Sequence, residues 1–207
     1  ATFTATVPGD YTLTLTTNDP TGACGAVTDV VVVTVTAQPT LTIVQPLAVC
    51  SPATVDVTTV ALGEVPTGGT ATYYGTMADA TNEVNALAST VISTTTTVYV
   101  RYELASGCFV TGTINVVVDL PAEVEAGNAQ SICAGTTATL TGSSIGGTAT
   151  SGTWTITTSP AGGDGALTGA GPDNSPADAT FTATVPGAYT LTLTTNDPTG
   201  ACGAVTD

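Results

Sequence analysis

The sequence has almost no basic residues. It contains one Arg, Arg101, and neither Lys nor His, against 16 acidic residues, so its formal net charge is −15 at pH 7. Proteins bind nucleic acid chiefly through Lys and Arg contacts to phosphate, and a membrane span needs ~20 consecutive apolar residues, which this chain lacks. The composition therefore predicts no nucleic-acid partner and no insertion into a membrane.

The missing residue types also argue against catalysis. Without His there is no Ser-His-Asp triad, and the G-x-S-x-G, Walker and H-E-x-x-H motifs are absent as well. We therefore expect that this chain is not an enzyme and that it needs no cofactor. Its 42% hydrophobic content and only 8% charged residues nevertheless indicate a folded chain rather than a disordered acidic one.

Thr and Val are abundant, and they occur in short alternating segments. The segment YTLTLTT at 11–17 places Tyr11, Leu13 and Leu15 on one face and Thr on the other. TFTATV at 2–7 and DVVVVTVTA at 29–37 are further strand candidates, bounded by Pro-Gly and Asp-Pro turn signals. No segment has a helical period that is long enough to rely on. The sequence thus predicts an all-β fold of tandem antiparallel Ig-like sandwiches.

Two ends of the chain carry nearly the same sequence. Residues 1–29 return at 179–207, 178 positions later, with Asp10 against Ala188 as the single difference. This period suits one or two ordinary domains and is too long for a solenoid turn, so we expect a window on a longer tandem array. The predicted domains are as follows: 1–38, the C-terminal half of a preceding Ig/PKD-like copy; 39–120, an Ig-like domain; and 121–207, an Ig/PKD-like domain lacking its last strand.

The repeat also bears on the five cysteines, Cys24, Cys50, Cys108, Cys133 and Cys202. Cys24 is the copy of Cys202, so we expect it to be unpaired because its partner would lie outside this window. Two pairs then remain, Cys50–Cys108 and Cys133–Cys202, each inside one predicted domain. Neither pair has the C-x-x-C spacing of zinc or redox sites, and structural disulfides indicate an oxidising, extracellular environment.

Three aromatic residues are candidates for the core. Trp154 is expected to pack beside a disulfide in the core, as in Ig-type sandwiches, with a sugar-stacking platform as the alternative. Tyr11 and Tyr189 follow Pro-Gly turns and fit a tyrosine corner, in which the hydroxyl bonds nearby backbone. For Arg101 the sequence favours a surface ion pair with Glu103.

Acidic residues crowd two stretches that could hold calcium. They are Asp164, Asp173 and Asp178, with Asn174, in a Gly/Pro-rich stretch, and Asp119, Glu123 and Glu125 at a predicted domain boundary. Oxygen-rich clusters bind Ca²⁺, yet neither stretch matches the EF-hand loop or the glycine-rich nonapeptide repeat. The sequence therefore favours solvated turn residues, with calcium binding as the alternative, and no metal site is assigned.

Longer segments resemble a known group of proteins. SICAGTTATLTG, SGTWTI and the repeated ATFTATVPGAYTLTLTTNDPTGACGAVTD resemble the PKD-like and Ig-like repeats of giant Bacteroidota cell-surface proteins. AVCSPATVDVTT with VYVRYELASGCFVTGTINVVV resembles a second Ig-like type from the same proteins. The resemblance implies a β-sandwich fold, a location on the bacterial cell surface, export by type IX secretion, and the same two cysteine pairs.

These observations lead to one functional expectation and two alternatives. We expect a stalk or spacer segment of a giant extracellular adhesin or filament, whose partners are neighbouring repeats. The first alternative is a carbohydrate-binding or accessory repeat array of a secreted enzyme. The second is a subunit of a non-covalent filament assembled by strand complementation.

Overall fold

The structure, a computed structural model, describes residues 1–18, 23–63, 65–196 and 200–207. It is nearly all β, which confirms the predicted fold class. In chain order the strands are β1 Gly9–Thr16, β2 Thr28–Val35, β3 Thr42–Ile43, β4 Val49–Cys50, β5 Val55–Asp56, β6 Leu62–Gly63, β7 Gly69–Tyr74, β8 Val91–Ile92, β9 Thr96–Leu104, β10 Phe109–Val116, β11 Val118–Asp119, β12 Ala122–Glu125, β13 Thr137–Thr139, β14 Ser144–Gly147, β15 Gly152–Thr158, β16 Ala166–Thr168, β17 Thr180–Thr182 and β18 Thr190–Thr195. One α-helix, α1 (Met77–Asn82), and 3-10 turns at Val57–Thr59 and Pro176–Asp178 complete the described elements.

The chain forms two compact units. The first comprises residues 1–45, 58–90 and 97–114, and the second comprises residues 46–57, 91–96 and 115–207. The domain limits expected from the sequence, at residues 38 and 120, stay predictions. Each unit is described by itself below.

The first unit contains the first copy of the repeated sequence as a hairpin. Strands β1 and β2 pair antiparallel from Gly9↔Val35 to Thr16↔Thr28, so the strands predicted at 11–17 and 29–37 both form. The segment 2–7 is not a strand, contrary to its Thr-rich pattern. In the second copy the corresponding Thr180–Thr182 is a strand because it pairs with β13. Sequence pattern alone was therefore insufficient at this segment.

The rest of the first unit is built on an antiparallel sheet of strand order β10-β9-β7. Val98 and Val100 of β9 are at most 2% exposed, and they share one face of the sheet with Tyr73, which pairs with Val100. Tyr74, which pairs with Tyr99 on the other face, is 1% exposed, so side chains are buried on both faces. Helix α1, which the sequence did not predict, follows β7. Thr76 caps it, since its hydroxyl accepts a hydrogen bond from the backbone N–H of Asp79.

The six residues of α1 are too few to show a helical period, which explains why the pattern missed them. Among the described residues, no helix combines the length and apolar character that crossing a bilayer demands.

Arg101 is not the surface residue that the sequence favoured. It is only 6% exposed, and its Nε donates to Glu103 at 2.7 Å. Its Nη1 donates to the carbonyls of Ala80 and Thr81 at 3.2 and 3.1 Å, at the end of α1. The guanidinium also lies 3.4 Å from the ring centre of Phe109. The chain's one cationic side chain thus supports the fold of the first unit.

The second unit consists of several small sheets, and those built from residues 122–195 enclose an apolar core. Its sheets are the antiparallel pairs β5-β8, β12-β14 and β15-β18, the three-stranded β13-β17-β16, and the parallel pair β4-β11. The core contains Leu140, Trp154, Ala179, Phe181, Ala183 and Leu193. Trp154 lies opposite Leu193 in the β15-β18 pair, so both side chains point into that core.

Candidate functional site

A disulfide bond joins Cys50 to Cys202 in the second unit. Their Cα atoms are 4.8 Å apart, within the usual range for a disulfide, although 152 positions separate them in the chain. Cys202 is 6% exposed and Cys50 is half-buried. The bond therefore closes a long covalent loop through most of the sequence.

Asp119 supports both sides of this disulfide. Its backbone carbonyl accepts a hydrogen bond from the N–H of Ser51 at 2.8 Å, which holds β4 against β11. Its side-chain carboxylate accepts one from the N–H of Ala201 at 2.6 Å, one residue before Cys202. A Cβ at Gly200 would lie 2.6 Å from the same carboxylate oxygen, so a larger residue there would displace this carboxylate.

The pairing Cys50–Cys108 and Cys133–Cys202 is wrong. Cys24, Cys108 and Cys133 are not disulfide-bonded, and Cys24 and Cys133 are exposed. The prediction assumed that each bond stays inside one domain. The Asp119 contacts instead bring the segment before Cys202 to the end of β11, beside which Cys50 lies. The sequence marked Asp119 only as one acid near a boundary, which gave no sign of this role.

Trp154 lies in the core and away from the disulfide. It is 4% exposed, and its indole N–H donates to the carbonyl of Pro176 at 3.0 Å. The buried residues around it include no cysteine in the described part of the chain, so its expected packing against a disulfide is not observed. Because it is only 4% exposed, this Trp does not form an exposed platform on which a sugar could stack.

Tyr11 and Tyr189 make the same local contact in the two copies. The hydroxyl of Tyr11 donates to the carbonyl of Val7 at 2.9 Å, and that of Tyr189 to the carbonyl of Val185 at 3.0 Å. This is the backbone contact expected of a tyrosine corner. The ring of each Tyr is 5.1 Å from the Phe eight residues earlier. The contact is intrinsic to the repeated segment, since it forms in both environments.

Asp164 has an internal structural role. Its carboxylate accepts hydrogen bonds from the backbone N–H groups of Thr184 and Val185 at 2.9 and 3.0 Å, and from the hydroxyl groups of Thr184 and Tyr189. The Thr184 hydroxyl and these N–H groups hold the pKa of Asp164 well below its usual value. The carboxylate thus fixes the turn that precedes Tyr189.

Asp173 and Asp178, the other acidic residues considered as calcium ligands in this stretch, also have local structural contacts. Asp173 accepts a hydrogen bond from the N–H of Ser175 at 2.9 Å, and Asp178 belongs to the 3-10 turn at 176–178. Within residues 1–18, 23–63, 65–196 and 200–207, no three or more His, Cys, Asp or Glu side chains form a group that could hold a metal ion.

The two copies of the repeated sequence have very different surroundings. Phe3 is 40% exposed and its counterpart Phe181 is 7% exposed. Leu15 is 74% exposed, whereas Leu193 is fully buried. The second copy pairs with β13 and β15, whereas among the described residues the first copy pairs only within its own hairpin, β1 with β2. The apolar side chains of the first copy are therefore left uncovered.

Residues 47–122 match a protein-family model described as the Flavobacterium inter-domain disulphide bond domain. The match covers less than half of the chain, and it indicates an extracellular type of domain found in Flavobacterium. No curated protein matches the chain.

The position of the disulfide fits the description of that family. Cys50 lies inside the matched residues 47–122, and Cys202 lies outside them, in the second copy of the repeat. The bond thus connects the matched segment to the segment that follows it. Because disulfides form and persist in oxidising environments, the bond also indicates an extracellular protein.

Proposed function

We propose that this chain is a structural segment of a bacterial cell-surface protein, in which disulfide bonds connect successive β domains. The observation that carries the proposal is the Cys50–Cys202 bond, which ties the segment 47–122 to the following one. The resemblance to Bacteroidota repeats supports the finer assignment of a stalk in a giant adhesin or gliding-type filament exported by type IX secretion.

A covalent connection of this kind suits a segment that transmits force. In the chain-entropy model, closing a loop of 152 residues stabilises the fold by on the order of 5 kcal/mol. Tension on the chain ends would also leave the residues between the two cysteines unstretched as long as the bond is intact. A stalk needs no catalytic group, and we propose that neighbouring repeats are its main partners.

Stretching single molecules tests the mechanical part of the proposal. The 152 positions that separate Cys50 from Cys202 correspond to a contour length of about 500 Å when the chain is fully extended. The oxidised chain, pulled from its two ends, is expected to extend by about that much less than the Cys202→Ser variant. The Cys24→Ser variant is the matched control and should behave as the unmodified chain. Equal extension of the oxidised chain and the Cys202→Ser variant would contradict the proposal.

Immunolabelling of intact bacterial cells tests whether this segment belongs to a stalk at the cell surface. Antibodies to this segment are expected to decorate a thin fibre at the cell surface. A β-sandwich about 13 residues long along its strands measures about 40 Å, since a strand rises ~3.3 Å per residue. Two such sandwiches end to end would give the fibre an axial repeat on the order of 80 Å. Labels confined to compact particles, or tight binding of one glycan by this segment alone, would argue against a stalk.

A further inference from the structure

Strand β18 is paired along one edge and nearly unpaired along the other. On one side it forms the antiparallel pair with β15. On the other side the described residues contribute only the short segment 205–207, through the bridge Thr194↔Thr206 and two backbone hydrogen bonds between Leu193 and Asp207 of 2.8 and 3.0 Å. Backbone groups alternate sides along a strand, so the N–H and C=O of Leu191 and Tyr189 point toward that open edge.

The first copy shows how this edge is completed. In the β1-β2 hairpin, Thr16 pairs with Thr28 and Leu15 with Asp29, the same register as Thr194↔Thr206 and Leu193 with Asp207. The flanking hydrogen bonds also agree, since Thr17 N–H to Val27 O and Thr195 N–H to Val205 O are both 2.9 Å. In the first copy the pairing continues for six more residues, through Val35 opposite Gly9.

An apolar groove lies beside the open edge. It has a volume of about 750 Å³, and its lining includes Leu140, Trp154, Phe181, Tyr189 and Leu191. Residues 126–134 line it as well. The groove thus runs along the core of the second unit, where a strand paired with β18 would place alternate side chains.

We propose that this groove accepts a β-strand with the sequence VVVVTVTA of residues 30–37, continuing the same polypeptide directly after Asp207. The register of the first copy places the counterparts of Val31 and Val33 opposite Leu191 and Tyr189, on the face that points into the core. The strand carries no charge, as an apolar groove requires. In β2, by contrast, Val30, Val31 and Val32 are each more than half exposed, since the first copy lacks the facing sheet.

An extended chain tests this proposal. Residues 1–207 followed by VVVVTVTAQ, the sequence of 30–38, should slow hydrogen exchange at the backbone amides of Leu191 and Tyr189 at least about tenfold relative to residues 1–207 alone. One control extension carries Thr at the counterparts of Val31 and Val33, and should lose most of this protection. A second carries Thr at the counterparts of Val30 and Val32, which face away from the core, and should keep it.

Other outcomes of the same exchange experiment show whether the continuing chain or a second copy of the protein fills the groove. Unchanged exchange in the extended chain, or equal protection by both Thr-substituted extensions, would overturn the proposal. Protection of Leu191 in residues 1–207 alone that rises with protein concentration would mean that a second copy of the chain fills the groove, and would also overturn it. Protection by the free VVVVTVTAQ peptide, abolished by Thr at its inward positions, would support it.

The completed strand has a consequence for two cysteines outside the disulfide. Cys108 lies beside the end of β2, its sulfur 4.0 Å from the carbonyl oxygen of Thr36. Val35, the last residue of β2, is paired with Gly9, whose counterpart in the second copy is Gly187. Gly187 and the exposed Cys133 line the same groove. A chain leaving the groove beside Gly187 would therefore carry the next copy of Cys108 toward a groove that Cys133 also lines.

We infer that Cys133 forms a disulfide with Cys108 of the following repeat, an inference that rests on the tandem array and the strand-filled groove. The two thiols lose two protons and two electrons as the sulfur–sulfur bond forms. The acceptor is the disulfide of a thiol–disulfide oxidoreductase in the export compartment, which is reduced to a dithiol by exchange. Each copy of the segment 47–122 would then form two disulfide bonds to its neighbours. Its Cys50 would be bonded to the segment that follows it, and its Cys108 to the segment that precedes it.

A chain with two copies of the matched segment tests this bond. Residues 1–207 followed by 30–120 contain two copies of Cys108, and Ala105→Gly in the first copy distinguishes them by mass. Non-reducing peptide mapping is expected to link Cys133 to the second copy of Cys108. Cys133→Ser should leave that second thiol reactive to maleimide, and Cys24→Ser should not. A link from Cys133 to the first copy, or a free Cys133 in a chain whose Leu191 amide is protected, would overturn the inference while leaving the strand proposal intact.

Discussion

Leu15 and Leu193 occupy the same position of the repeated sequence, yet Leu15 is 74% exposed and Leu193 is completely buried. Their local backbone is alike, since each pairs through its backbone with an Asp fourteen residues later. Leu193 packs opposite Trp154 on β15, whereas in the part of the chain that the structure describes Leu15 pairs only with Asp29 of β2. Burial in this chain is therefore decided by the sequence that surrounds the repeat.

Replacing Leu15 and Leu193 separately by Ala tests whether their surroundings decide their burial. Leu193→Ala is expected to lower the free energy of unfolding of the second unit by 2–5 kcal/mol, roughly the loss for a buried Leu that leaves a cavity. Leu15→Ala, the same change at an exposed position, should stay within about 0.5 kcal/mol of the unmodified chain. Urea unfolding measures both variants, followed by the fluorescence of Trp154 for the second unit and by Tyr circular dichroism for the first unit, which contains Leu15. Equal losses would contradict the assigned environments.

The disulfide should make a large contribution to stability. The Cys50→Ser/Cys202→Ser double variant is expected to unfold with a free energy roughly 2–5 kcal/mol lower than the oxidised chain, because the unfolded state is no longer restricted by the long loop. Cys24→Ser is the control, since Cys24 is exposed and outside any disulfide, and should change little. The same urea titration serves, and a double variant as stable as the oxidised chain would be inconsistent with a stabilising bond.

Asp164 should make stability depend on pH in acid. Its hydrogen bonds from Thr184 and Val185 lower its pKa in the folded state. Its contribution is therefore fully present above the usual carboxyl pKa of about 4 and is lost as the pH falls from there toward the lowered pKa. The melting temperature is expected to fall more steeply below about pH 4 in the unmodified chain than in Asp164→Asn. Asp178→Asn, whose carboxylate is outside this contact, should retain the steep dependence.

Arg101 offers a comparison between two ion pairs of one side chain. Glu103 receives a 2.7 Å hydrogen bond from Arg101 Nε and is 27% exposed, whereas Glu83 is 3.7 Å away and 63% exposed. Glu103→Gln is expected to destabilise the first unit by about 1–3 kcal/mol, because the buried guanidinium loses its nearest anion. Glu83→Gln should cost less than about 0.5 kcal/mol. Thermal unfolding followed by Tyr circular dichroism compares them, and a reversed order would contradict the geometry.

Local patterns in the sequence were sufficient for the all-β class and for the hairpin strands β1 and β2, because their alternation and turn residues are local. Local patterns were insufficient where a distant partner decides the outcome. The segment 2–7 and its copy at 180–185 have the same letters, and a strand forms only in the second copy, at 180–182, where β13 is available to pair. Arg101 became buried because α1, itself too short to predict, presents two carbonyls to it.

The cysteine pairing failed for the same physical reason. A disulfide requires two Cα atoms within about 7 Å, and spacing along the chain does not specify that distance between residues far apart in sequence. The repeat correctly related Cys24 to Cys202. It could not show that Asp119 brings the segment before Cys202 next to β4.

The connection between successive segments is the central claim, and the pairing of the cysteines tests it most directly. The oxidised chain, denatured without reductant, should react with maleimide at three thiols, Cys24, Cys108 and Cys133. Peptide mapping of the same sample should recover a peptide containing Cys50 linked to one containing Cys202. One reactive thiol, with Cys50 linked to Cys108 and Cys133 linked to Cys202, would confine every bond to a single predicted domain and contradict the account.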